Sequence, residues 1–309
     1  MPSQTEADAW ASRHTNGRID RFRTLDADAV VVLASALATD VRWQDEYGAA
    51  SSDELGAPWN ERVECVLLNH VAGRRAVART QAAGLVGFHE QRTTDGLHVI
   101  SVIAPADAAP ADAIAAAYEL ATRLGRGDDE AFVSLFDLPL DGHAWRISEQ
   151  EVELEKPRPP AEHGTVWLPA WEATSNDLDL MRAGTGFDAA VRTLLLNLPT
   201  APAYRASAAQ SARARYDVRG FWAAAVTDMS AVRCAMPRRP EERHRVIDRR
   251  IELRFARPFA VVAFASHDAG PRAWRGVPAF GAWVTEPCEP DVEPGVREWL
   301  RHERSSSRE

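Results

Sequence analysis

Small or apolar residues alternate with charged residues over residues 211–218, and this pattern predicts a β-strand with one buried face. The apolar positions are Ala212, Ala214, Tyr216 and Val218, and the charged positions are Arg213, Arg215 and Asp217. Gly220 follows, and after it comes an apolar, alanine-rich stretch. An irregular, arginine-rich run then continues to residue 250, and the strand pattern resumes at 251–255 and at 260–265. A polar excursion of this length between two strands is typical of a linker or a functional loop.

The rest of the chain predicts a mixture of strands and helices. Three successive valines in the apolar stretch 29–37 favour a strand covered on both faces over a buried helix. Further strands are predicted at 63–68, 76–79, 84–91, 96–103, 164–174 and 276–284. Helices are predicted up to Gly17, over 111–124 with Gly125 as a stop, and from Asp177 with Ser175 or Asn176 as the N-cap. The acidic, proline-containing stretch 148–160 predicts an exposed connection.

Composition narrows the class of protein. The chain has 309 residues, a net charge of −9 and 45% hydrophobic residues, which suits a globular protein and argues against binding to nucleic acid. The three cysteines, Cys65, Cys234 and Cys288, are odd in number and far apart, so they form neither a disulfide framework nor a zinc motif. The first residues lack a signal peptide, and the longest apolar run is too short to span a bilayer. We therefore expect a soluble, cytoplasmic protein, or a secreted one if the true start lies upstream.

Signatures of catalysis are weak in this sequence. No Gly-x-Ser-x-Gly motif is present, and His89-Glu90 lacks the second histidine of a zinc-protease helix. The nine histidines show no metal-ligand spacing. Cys234 is either a redox-active thiol activated by nearby arginines or an incidental loop cysteine. We find no pairing of a nucleophile with a base, so the sequence predicts no enzyme, no metal and no cofactor.

The order strand, glycine, alanine-rich hinge, long loop and strand, followed by Arg257-Pro258-Phe259, resembles the reactive-centre loop of a bacterial serpin. Other serpin-like motifs occur in family order along the chain. They are Trp10, residues 15–19, residues 32–37, Trp43, Tyr47, Leu168-Pro169, Asp177-Leu178, Gly186-Phe187, Gly281, Val284 and Pro287. Each motif is weak by itself, and the shared order and spacing make the resemblance specific.

The resemblance implies an α+β fold of mixed β-sheets with a few helices. It begins inside the family's helix F, so counterparts of helices A to E are expected to be missing and the chain to be truncated at its N-terminus. A single serpin-like domain is expected over residues 1–287. Residues 288–309 are polar and serine-rich near their end, and we expect a disordered tail there.

The resemblance also implies a mechanism. A serine protease would attack the exposed loop at about residues 220–250 and form an acyl-enzyme, after which the loop would enter a sheet as a new strand. The implied hinge residues are Gly220, Phe221, Ala223, Ala224 and Ala225. Alanines suit rapid burial, whereas forcing Phe221 between packed strands would cost about 1–3 kcal/mol of overpacking. Val218 and Arg219 replace the acidic pair usual in the family. Trp43 is implied to lie at the breach, where insertion would begin.

Family spacing from Gly220 puts the implied scissile bond at Arg233–Cys234, and Arg233 would suit a trypsin-like protease. Arg238–Arg239 remains an alternative, and the arginines could also serve only to solvate the loop. Arg257, Pro258 and Phe259 mark the distal loop end. The resemblance therefore implies a serine protease inhibitor with a serine protease partner, and the alternative is a non-inhibitory serpin-like binding protein whose loop cannot insert. No nucleic-acid or membrane partner is expected.

Overall fold

The computed structural model describes residues 3–15, 17, 19–22, 24–25, 41–154, 158–181, 186–196, 209–221, 244–265 and 275–306. The strand predicted at 29–37 lies outside these ranges. Contacts divide the chain into two compact units, Met1–Thr39 with Glu172–Arg215 and Asp40–Trp171 with Tyr216–Glu309. The single domain expected over 1–287 stays a prediction.

The first unit contains helix α1 (Gln4–His14), helix α3 (Phe187–Leu196) and most of two paired strands. Ser3 and Glu6 form a capping box at the start of α1, in which each side chain bonds the other residue's backbone amide. Gly17 has a φ of 72°, which ends this segment as the sequence predicts. The sequence prediction of a helix from Asp177 is wrong, because the strand Trp171–Asp179 continues through this position and α3 begins only at Phe187.

Fourteen strands lie within the described residues. Strands β1 to β7 are Val41–Arg42, Gly48–Ser51, Cys65–Ala72, Val77–Thr80, Gly84–Arg92, Leu97–Ile103 and Trp145–Leu154. Strands β8 to β14 are Glu162–Leu168, Trp171–Asp179, Ala209–Tyr216, Gly220–Phe221, His244–Arg254, Phe259–Ala265 and Pro278–Val284. They form two five-stranded sheets with the orders β2-β3-β8-β12-β7 and β14-β13-β6-β5-β4, and two pairs, β1-β11 and β9-β10.

The main core lies between helix α2 (Pro110–Gly125) and the sheet β14-β13-β6-β5-β4. Small and apolar residues recur on one face of α2, and Ala113, Ala117 and Leu120 are almost completely buried there. Opposite them, Val102 and Val262 lie on neighbouring strands, and each residue is at most 1% exposed. The helix therefore covers the apolar face of an antiparallel sheet, the arrangement expected of an α+β fold.

Within the stretch 148–160, which the sequence predicts as an exposed connection, residues 148–154 form part of a strand, and residues 158–160 lie outside regular structure. Strand β7 runs to Leu154 and pairs antiparallel with β12 over ten residues, from His244↔Leu154 to Leu253↔Trp145. Its acidic side chains face arginines across the ladder, as in the pairs Glu149–Arg249 and Glu151–Arg245. The prediction failed because an alternating acidic segment becomes a stable strand only beside a partner of opposite charge.

Part of the C-terminal tail forms a helix, where the sequence predicts disorder. Helix α4 spans Pro294–Ser306, and Leu300 on its inner face is only 3% exposed. Arg301 bonds the Glu64 carboxylate at 2.8 Å, and Arg304 pairs with Asp53 at 2.9 Å. These contacts join the tail to strand β2 and to the residues around it. The high polarity of the tail reflects the outer face of an amphipathic helix.

Candidate functional site at the base of the loop

Strand β11 holds the first two hinge residues in a β-ladder. Phe221 pairs with Val41 and Gly220 with Arg42, in an antiparallel register. A Cβ atom on Gly220 would lie 2.4 Å from the Val41 carbonyl oxygen, closer than any side chain tolerates. Glycine is therefore required at this position because the two backbones approach closely.

Trp43 fixes the segment that leads into this ladder. Its backbone amide donates to the Arg219 carbonyl at 3.2 Å, and its indole Nε1 donates to the Asp217 carbonyl at 2.8 Å. The Tyr47 amide donates to the Val218 carbonyl at 2.9 Å. Trp43 is only 3% exposed, so these bonds are shielded from water. The residue assigned to the breach by resemblance thus contacts the residues directly before Gly220.

Phe221 is already part of a packed aromatic cluster. It is 5% exposed, and its ring centroid lies 6.3 Å from that of Trp171 and 5.5 Å from that of Phe280. The family resemblance implies that Phe221 inserts between two packed strands after cleavage. In this structure the side chain is buried and β11 pairs with β1 alone among the described strands, so the overpacking cost of insertion stays a prediction.

Three aromatic side chains with polar groups form a hydrogen-bonded chain next to the segment 217–221. The Tyr47 hydroxyl is hydrogen-bonded to the Tyr216 hydroxyl and lies 2.7 Å from Nε2 of His89. All three residues are buried, at 4%, 0% and 1% exposure respectively. Burial lowers the pKa of His89 to about 4 and raises the pKa values of Tyr47 and Tyr216, so the three groups are neutral near pH 7.

Sequence reasoning missed this group, which we call the Tyr–His relay (Tyr47, His89 and Tyr216). Tyr216 stood on the predicted buried face of its strand, and Tyr47 entered only through the resemblance. The sequence shows His89 only as part of an incomplete zinc-protease motif. The sequence signal that could have revealed them is a polar group at the end of a side chain on a predicted buried face, because a buried polar group needs a hydrogen-bond partner. The partners are too distant in sequence for spacing to reveal them.

The distal loop end is built around the partly buried guanidinium of Arg257. Arg257 donates through Nη1 to the His143 carbonyl at 2.8 Å, and through Nη2 to the Ala104 carbonyl and to His143 Nδ1. Burial lowers the pKa of Arg257. Pro258 is exposed, whereas Phe259 is completely buried, with its ring centroid 5.1 Å from that of Phe255. These contacts fix the chain where it enters strand β13.

The other predicted site residues lie outside the described residues. They are Ala223, Ala224, Ala225, Arg233 and Cys234. The sequence extends the loop to residue 250, but strand β12 begins at His244, so residues 244–250 belong to a sheet. The described ends of the loop are therefore Phe221 and His244.

Metal-binding clusters and membrane-spanning helices are both absent from the described residues. Among the described residues, no three His, Cys, Asp or Glu side chains gather where they could hold a metal ion. Nor does this part of the chain contain a helix with the length and hydropathy needed to cross a membrane. Cys65 is buried, and burial raises the pKa of its thiol, which disfavours the reactive thiolate.

Comparison with known proteins identifies the fold. No protein-family model and no curated protein matches the chain. A structure of thyroxine-binding globulin in complex with thyroxine matches with a TM-score of 0.50 and 12% identity, covering 93% of this chain and 65% of that chain. Human thyroxine-binding globulin, also with its ligand, gives a TM-score of 0.44 at 10% identity and coverages of 85% and 60%. The protein SRPN18 from Anopheles gambiae gives 0.37 at 11% identity and coverages of 95% and 67%.

Thyroxine-binding globulin is a serpin, and the chain has a serpin-like fold of mixed sheets with helices. This confirms the fold class that the sequence resemblance implies. At 12% identity the likeness shows the fold alone. The chain spans 65% of the length of the first of these proteins.

Proposed function

We propose that this protein is a serpin-like serine protease inhibitor whose bait is the loop between Phe221 and His244. The observation that carries the proposal is the anchoring of both loop ends in β-structure. Gly220 and Phe221 pair with β1, and His244 opens β12, which has a strand on each side. A loop held at both ends can present an extended segment to a protease while its ends stay fixed.

The chemistry of the proposal is an interrupted proteolysis. The protease serine Oγ attacks the carbonyl carbon of Arg233, the bond to the Cys234 nitrogen breaks, and that nitrogen leaves as an amine after taking up a proton. The protease remains bound to Arg233 through an ester. The freed segment after Phe221 then extends the ladder that β11 begins, with Ala223 and Ala225 small enough for rapid burial. New hydrogen bonds and buried side chains would supply the driving force.

A second function, non-inhibitory binding, is favoured by the aromatic packing of Phe221. A residue already fixed against Trp171 and Phe280 could hold the loop base in place instead of starting insertion. The thyroxine-binding globulin structure contains thyroxine, so proteins of this fold also bind small molecules. In this alternative the loop would be cleaved as an ordinary substrate.

Incubation with trypsin at a stoichiometric ratio tests both functions by denaturing gel electrophoresis. An inhibitor gives a band that resists denaturant and contains both proteins, whereas a non-inhibitory protein gives only cleaved fragments. Arg233→Ala should abolish the complex, and Arg239→Ala should leave it unchanged. Cleavage without complex formation would reject the inhibitor in favour of the second function, and first cleavage outside residues 222–243 would reject both.

A further inference from the structure

The Tyr–His relay lies against the segment that leads into the loop. Tyr47 contacts this segment twice, through its amide to the Val218 carbonyl at 2.9 Å and through its hydroxyl to Tyr216. Trp43, four residues earlier, bonds Asp217 and Arg219. The rings of Trp43 and Tyr216 also pack with their centroids 4.8 Å apart. Any movement of the Tyr216 ring would therefore disturb the bonds on both sides of Val218.

Core filling alone does not account for the relay. Phenylalanine at positions 47 and 216 would fill nearly the same volume without placing two hydroxyl groups in an apolar interior. A buried hydroxyl costs free energy unless it is hydrogen-bonded, and here each hydroxyl stabilises the other. His89 completes the arrangement from strand β5, where it sits opposite Ser101 on β6. The relay thus fixes the directions of three side chains, which an apolar core would leave to packing alone.

We propose that Tyr47, Tyr216 and His89 are positioning residues that hold the segment 217–221 in place, and that protonation of His89 releases this segment. The proposal depends on the proposed function only in identifying that segment as the base of the bait loop. Its direct consequence is an acid-sensitive loop base.

The direction of the pH effect follows from the surroundings of His89. Among the described residues, the neutral Tyr47 hydroxyl contacts it and is in turn hydrogen-bonded to the Tyr216 hydroxyl, and the carboxylate of the neighbouring Glu90 favours its protonated form. Burial opposes protonation more strongly and lowers the pKa of His89 from 6.5 to about 4. In addition, Nδ1 is buried with no hydrogen-bond partner among the described residues, so the charged ring would leave one donor unsatisfied.

Neutral His89 therefore favours the closed state, in which the segment 217–221 is held in place. In the open state the ring is exposed to solvent and takes up a proton more readily. The stabilisation of the closed state by neutral His89 is fully present above pH 6.5 and is lost as the pH falls toward 4. At pH 4.5 the open population of the segment should rise on the order of 50-fold relative to pH 7, if opening returns His89 to its ordinary pKa.

Hydrogen exchange at single amides measures this opening without any protease. The reporters are the amides of Trp43 and Tyr47, which bond Arg219 and Val218, and the reference is the Arg79 amide on strand β4, which bonds Ala131. We expect the protection factors of the reporters to fall on the order of 50-fold from pH 7 to pH 4.5, and that of the reference to change little.

Matched variants separate the relay from general stability. Tyr47→Phe should lower reporter protection roughly tenfold at pH 7, whereas Tyr118→Phe, on the half-exposed face of α2, should not. Tyr216→Phe breaks the same hydroxyl pair from the other side and covers the case in which Tyr47→Phe does not fold. His89→Gln, which cannot titrate, should flatten the pH response that His70→Gln, at an exposed position, leaves intact.

Unchanged reporter protection in both tyrosine variants would overturn the positioning role. A pH response that persists in His89→Gln would overturn the release by protonation. Failure of the protein to trap trypsin would leave both measurements unaffected, so this proposal and the proposed function fail separately.

Discussion

Phe221 and Trp171 lie with their ring centroids 6.3 Å apart and their planes inclined at 59°, and both side chains are buried. This contact gives Phe221 a structural role in the intact protein. From the sequence, its size was an obstacle to strand insertion. In the structure it anchors the first residue pair of a ladder to the aromatic core, so the loop base is held by side-chain packing as well as by backbone hydrogen bonds.

Replacing Phe221 with Thr should therefore destabilise the intact protein. Removal of a buried phenyl ring leaves a cavity beside Trp171 and Phe280, and we expect the free energy of unfolding to fall by about 3 kcal/mol. Thermal or denaturant unfolding measures the change. Phe187→Thr is the control, because Phe187 is 42% exposed and its replacement should change stability by less than about 0.5 kcal/mol. Equal stability of the Phe221→Thr variant and the natural protein would show that packing of the Phe221 ring does not stabilise the intact protein.

Limited digestion with trypsin should cut first between residues 222 and 243. This segment contains Arg233, Arg238, Arg239 and Arg243. Arg245 and Arg249 lie in β12, whose backbone is paired with β7, and should resist cleavage. Mass spectrometry of early fragments identifies the sites. Early cuts at Arg245 or Arg249 would show that β12 opens readily, contrary to its pairing with β7 on one side and β8 on the other.

The sequence predicted the elements whose signal is local. The strand pattern at 84–91 became Gly84–Arg92, and the apolar run at 260–265 became Phe259–Ala265. The alanine-rich helix at 111–124 became Pro110–Gly125. In each case apolar periodicity within a few turns or residues reports burial directly, and no distant partner is needed to interpret it.

Elements whose stability depends on a distant partner were missed. Strand β7 is acidic, and its sequence alone predicts an exposed segment. It forms a strand because Glu149 and Glu151 pair with arginines about 100 residues away. Helix α4 reads as a polar tail until Arg301 meets Glu64. The site divides in the same way: Gly220 and Trp43 stood out in the sequence, whereas the Tyr–His relay joins residues 42 and 169 positions apart.

Helix α4 should contribute to stability through Leu300. This side chain is 3% exposed, and Leu300→Ala should lower the free energy of unfolding by about 2–5 kcal/mol. Trp299, the preceding residue, is 60% exposed, and Trp299→Ala should have little effect although it removes a larger side chain. Chemical denaturation of the two variants provides the comparison. Equal and small effects would mean that the tail is not docked in solution.

Asp248 should make part of the protein's stability sensitive to strong acid. Its carboxylate accepts two bonds from the Arg158 guanidinium, at 2.8 and 2.5 Å, and one from the Ala161 amide at 2.8 Å. The bonds from Arg158, the larger cause, and the one from Ala161 lower the pKa of Asp248 from its ordinary value of 3.8 to about 2. A carboxyl group with a lowered pKa stabilises the folded state above its unfolded pKa, and this contribution disappears as the pH falls from about 4 through 2.

Asp248→Asn tests this directly, because asparagine can still accept from the Ala161 amide but cannot form the charged pair with Arg158. We expect the variant to lose about 1–3 kcal/mol of unfolding free energy at pH 7, and the difference from the natural protein to shrink steadily between pH 4 and pH 2. The control is Asp141→Asn, since the Asp141–Arg146 pair is exposed on both sides and contributes little. Denaturant unfolding at several pH values measures both. A difference between Asp248→Asn and the natural protein that stays constant down to pH 2 would mean that the loss comes from packing and not from the carboxylate charge.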